Sequence, residues 1–247
     1  GIIVNDTLSG SGSGTILITQ FNPLGGSGTV NLTGGTVEQT RTVGCNSGNW
    51  GPSGSNNWTF NNLTFSNISC GSTYLTTLGS GGSGDIVVTG TLTISKTGDA
   101  GAYELTQNNS TLVLSNPFDA SQSSGALLPG SGSGTVKYVG ANTTINAATF
   151  NNLTLGGTGT YTLPASDVTV RGNLVVTTGA TVTKSASNKL IFAKGGGGSQ
   201  SITGNATNSD LGIIQVSENS GDTTLTLGSS VKMTSITIDA TQTFTPG

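Results

Sequence analysis

The residues best suited to chemistry in this 247-residue chain are two cysteines, eleven carboxylates, and the amide pairs Asn61-Asn62 and Asn151-Asn152. There is no histidine, which removes the commonest general base and the commonest metal ligand. Cys45 and Cys70 cannot form a zinc site alone. Glycoside hydrolysis needs two carboxylates facing one bond. Here no two carboxylates are adjacent or separated by a single residue. Asp85 and Asp167 each stand just before a strand-like run, the place of an Asx turn. Glu218 and Asp222 sit in a polar loop and read as solvated. Lyases acting on acidic sugars also use basic groups, and Arg41 and Arg171 are the only arginines. The glycine tracts carry neither a phosphate-loop lysine nor the helix such a loop opens. Gly81-Gly82-Ser83-Gly84-Asp85 is one residue short of a calcium nonapeptide repeat and occurs once. The expectation is a non-enzyme with no catalytic residue, cofactor or metal.

The Asn pairs belong instead to a repeat. Phe60-Asn61-Asn62-Leu63-Thr64 returns letter for letter as Phe150-Asn151-Asn152-Leu153-Thr154, with a looser copy at Leu211-Gly212-Ile213-Ile214. Matching runs follow in order. Thr73-Tyr74-Leu75 answers Thr160-Tyr161-Thr162, Ile86-Val87-Val88 answers Val168-Thr169-Val170, and Leu92-Thr93-Ile94 answers Leu174-Val175-Val176. Leu112-Val113-Leu114 then answers Leu190-Ile191-Phe192. The offset drifts from 90 residues at the phrase to 82 and then 78, so strands are kept while loops vary. That is the mark of one structural unit stacked several times. Stacked coils use Asn to bond backbone at corners, which is the expected role of both pairs.

Those strands must position everything else. The chain has 40 Gly, 42 Thr and 31 Ser, and only 8% of its residues are charged. Aliphatic residues alternate with Thr or Ser, as in Val168-Thr169-Val170 and Ile236-Thr237-Ile238, which places the aliphatic set inward and the hydroxyls outward. No window keeps a 3.6-residue period, so almost no helix is expected. Leu153, Leu174, Leu190, Ile213 and Ile236, taken as equivalent inward positions, are 21, 16, 23 and 23 residues apart. The predicted fold is all-β: a parallel β-helix, or β-solenoid, of roughly 20–23-residue coils. The alternative is an array of small β-sandwich domains, but the Asn-Gly and Asp-Gly turns of tight antiparallel hairpins are absent. Residues 121–134, rich in Gly and Ser, read as a seam between a block at 1–120 and a block at 135–247.

Net charge is −3 and the eight basic residues are scattered, which argues against a nucleic-acid partner. No run of about 20 apolar residues exists to span a membrane. Cys45 and Cys70 flank the first phrase, and a disulfide between them would contribute about 3.5 kcal/mol by loop closure. Low charge and an even cysteine count suit an extracellular or cell-surface protein. Trp50 and Trp58, with Phe60 and Phe65, form an aromatic cluster. It reads as a core cap or, more sharply, as a platform for glycans or another partner.

The order of FNNLT, TxTL, DVxVxGxLxV and the Gly179-Ala180-Thr181 turn resembles giant β-strand-repeat proteins of bacterial cell surfaces, some of them autotransporter-like or haemagglutinin-like adhesins. The resemblance covers roughly residues 56–118 and 145–247 and implies a secreted or surface-displayed, elongated, non-enzymatic protein. The Asn-Pro-Asn-Gly secretion signature of two-partner haemagglutinins is missing, with Phe21-Asn22-Pro23-Leu24-Gly25 only a faint echo. No capping segment is visible at either end of the repeat array. Ile2, Ile3 and Val4 at one end, and Ile236, Ile238 and Phe244 at the other, are the expected contacts of a head-to-tail assembly. The expected function is a structural one, as a subunit or segment of an extracellular filament or surface stalk. The alternative is an adhesin that binds glycans or host surfaces through loops such as 45–58 or 119–134.

Overall fold

A computed structural model of the chain describes all residues except 1, 20–23, 42–47, 68–73, 79–81, 97–102, 108–109, 121–124, 130–133, 185–187, 205–208 and 218–220. Cys45 and Cys70, and hence the expected disulfide, lie outside the described residues, as does Glu218. The described chain contains strands and no helix. Within each unit every strand pairing among the described residues is parallel, which rules out the antiparallel sandwich array. The protein is a β-solenoid, in two compact units, Gly1–Gly134 and Thr135–Gly247. The boundary falls at the end of the stretch read as a seam. That stretch is not all loop: Gly125–Pro129 is a strand paired with Tyr103–Gln107.

The second unit shows the coil in its simplest form. Its chain visits three faces in turn. The first holds Thr149–Phe150, Val168–Val170, Lys189–Phe192, Ile213–Val216 and Ser235–Ile238. The second runs from Thr135–Tyr138 through Asn152–Leu155, Leu174–Val176, Gly198–Gly204 and Thr223–Leu227 to Thr243–Thr245. The third holds Thr143–Thr144, Thr160–Thr162 and Thr181–Thr183. Alternation does the sorting: in Val168–Val170 the two valines are buried and Thr169 is half-exposed. Inward residues then pile into columns such as Phe150, Val170, Phe192 and Val216, all buried. Each such side chain contributes about 1.5–3 kcal/mol by leaving water.

In the first unit the first and second faces belong to one sheet that bends at the corner, with Thr29–Arg41 and Trp58–Asn67 passing around it as continuous strands. The third face is the sheet of Gly25–Gly26, Gly48–Pro52, Tyr74–Leu78, Tyr103–Gln107 and Gly125–Pro129.

The coils are less uniform than the spacing suggested. Paired residues on successive rungs are as close as Val136 and Leu153 and as far apart as Tyr74 and Tyr103, a range of 17–29 residues rather than 20–23. Three of the four assumed equivalences also fail. Leu174 and Leu190 lie on different faces, so their interval is not a coil, and both Leu190 and Ile236 are in register with Ile214 rather than Ile213. The physical reason is that a three-sided coil buries several aliphatic columns, and spacing alone does not say which column a residue joins.

Candidate functional site

The repeated phrase turns the corner from the first face to the second. In the first unit Phe60 pairs with Val88 and Leu63 with Leu92; in the second Phe150 pairs with Val170 and Leu153 with Leu174. Leu112 and Leu190 then occupy the same column position above Ile86 and Val168. Three successive rungs therefore repeat in register.

Between Phe and Leu the two asparagines carry the turn. Gly90 N–H donates to Asn61 O at 2.7 Å, and Gly172 N–H donates to Asn151 O at 2.6 Å. Thr91 N–H donates to Asn62 Oδ1 and Asn173 N–H to Asn152 Oδ1, both at 2.9 Å. Asn62 Nδ2 donates in turn to Gly35 O on the preceding rung, so one amide joins three rungs. A Cβ at Gly90 or Gly172 would collide with the Oδ1 of Asn62 or Asn152 and with the carbonyl of the residue before it. This requirement for glycine one rung later was not read from the sequence. Its signal was present in the shared spacing of Val88-Thr89-Gly90 and Val170-Arg171-Gly172.

Asp85 and Asp167 sit at the corner entering the first face. Asp167 Oδ1 accepts Lys189 N–H at 2.8 Å, and Asn57 Oδ1 accepts Asp85 N–H at 2.9 Å. The Asn pairs and Asp167 thus hold backbone, whereas Asp85 is itself held through its N–H by Asn57. Among the described residues no three His, Cys, Asp or Glu side chains gather where a metal ion could be held. Among the described residues no helix is long and apolar enough to cross a membrane.

Two polar ladders mark the second unit. Asp210 Oδ2 lies 3.7 Å from Lys184 Nζ and 3.5 Å from Lys232 Nζ. Desolvation works against its ionisation, but the Gly212 N–H and the two ammonium groups outweigh that and hold the carboxyl below its ordinary range. Asp239 is held low chiefly by hydrogen bonds from Ser217 and Gln215. Tyr138 and Tyr161 are buried, and desolvation pushes both phenols up. Tyr138 Oη donates to Asn146 Oδ1 at 2.9 Å, and Tyr161 Oη is bonded to the carbonyls of Tyr138 and Gly156.

The tryptophan platform is corrected by the structure. Trp50 and Trp58 are 1% and 0% exposed, and Trp58 Nε1 donates to Gly28 O at 2.9 Å. Trp50 packs edge-on to Trp58 and Phe65 and against Phe60, with ring centroids 5.2–5.8 Å apart. Neither indole is presented to a partner. Burying so large an aromatic surface fills the wide interior of the first unit.

The outer rungs differ. Thr7–Gly10 and Thr15–Ile18 are each paired on one side only, as are Ser235–Ile238 and Thr243–Thr245. Among the described residues the exposed large aliphatic side chains all lie there: Ile2, Ile3 at 73%, Ile16, Leu17 at 56%, and Ile238 at 44%. Ile236 and Phe244 are half-buried, while Val4, grouped with Ile2 and Ile3 from the sequence, is buried. Ile16 and Leu17 were missed because the Thr15–Ile18 run looks like any interior strand. An open cleft of about 290 Å³ lies at this edge, its rim formed by Leu8, Gly10, Gly12, Gly14 and Ile16 and its floor by Leu32 and Val37.

Parallel rungs, three faces in the coil and amide-tied corners define a β-solenoid repeat protein. Compared with known proteins, the chain matches no family model, no curated protein and no solved structure.

Proposed function

We propose that the chain is a non-enzymatic structural protein, a subunit or segment of an extracellular filament or surface stalk continued through its solenoid ends. One observation carries this reading: among the described residues, the large exposed aliphatic side chains are confined to outer rungs. An open sheet edge over a bare core is a ready template for another rung. Between those rungs the outward positions are largely Thr, Ser and Asn, a surface with little to recognise a ligand. Low charge and an even cysteine count favour an extracellular location.

The experiment is immunogold labelling of intact, unpermeabilised source cells with an antibody raised against the folded chain. The expected result is gold along surface filaments or stalks. Label found only after permeabilisation would end this reading.

A further inference from the structure

We draw no further inference here: the strongest candidate, the outward threonine array on the third face of the second unit, where Thr160 pairs with Thr181 and Thr144, Thr162 and Thr183 share one register position, is a bare sheet face, and nothing in the structure shows what covers it.

Discussion

At Phe60-Asn61-Asn62-Leu63 the inward rings meet tryptophan, with Trp50 5.4 Å from Phe60, whereas at Phe150-Asn151-Asn152-Leu153 the neighbour is Tyr138, 6.5 Å from Phe150. The aromatic filling differs between the two corners and the backbone does not. Gly90 and Gly172 donate to equivalent carbonyls, and Thr91 and Asn173 to equivalent amide oxygens. The corner is specified by hydrogen-bond geometry, which admits few residues. The interior is specified by volume, which many combinations satisfy.

The largest effect should come from breaking the filling. Trp58→Ala removes a fully buried indole and its bond to Gly28 O, and should cost about 3–5 kcal/mol. Phe150→Ala should cost toward the lower end of that range. Denaturant titration followed by tryptophan fluorescence for the first unit and by circular dichroism for both would measure the pair. A loss below about 1 kcal/mol at Trp58 would mean that the interior there is not packed.

A glycine substitution strikes the shared device instead. Gly90→Ala and Gly172→Ala should each destabilise by about 1–3 kcal/mol, because the methyl collides with the Asn oxygen and a carbonyl in both units. Equal penalties would sharpen the comparison, and unequal ones would show that one corner yields more readily.

Removing the amide is milder. Asn62→Ala should lose about 1–2 kcal/mol, since it frees Thr91 N–H and removes one of the two amide donors to Gly35 O. Asn62→Asp keeps the acceptor and should recover part of that loss, read as the difference in denaturation midpoint.

The smallest effect concerns Asp210, which the first corner has no equivalent for among the described residues. Its carboxyl is held below the ordinary value, so its stabilising contribution is present at neutral pH and is lost as pH falls through the lowered folded value. Asp210→Asn should flatten the acid limb of stability by a few tenths of a kcal/mol and reduce its salt dependence. A profile identical to wild type would leave the Lys184 and Lys232 pairs without energetic weight.

Much of this was legible in residues. The identical phrase located both corners, and its trailing Val-Val, Leu and Leu-Val-Leu runs proved to be the next two rungs in register. Period-two alternation in Val168–Val170 told inside from outside. What could not be read was column membership. Leu174 and Leu190 are chemically interchangeable, and only the intervening third-face strand Thr181–Thr183, with a corner on each side, assigns them to different faces. The depth of Trp50 and Trp58 was hidden for a related reason. Whether an aromatic cluster lies inside or outside depends on the width of the coil, and in the first unit paired residues run to 29 apart, as at Leu63 and Leu92 beside the cluster.

The asparagine and aspartate oxygens share a direction. Asn57, Asn62, Asn142, Asn152, Asp167 and Asn173 each accept a backbone N–H from the following rung. A ribosome releases the amino end first, at roughly 5–20 residues per second, so each of these acceptors is in place seconds before its donor emerges. Truncation is correspondingly asymmetric. At these six places shortening from the carboxyl side leaves spare oxygens, which water readily serves, while shortening from the amino side strands amide hydrogens.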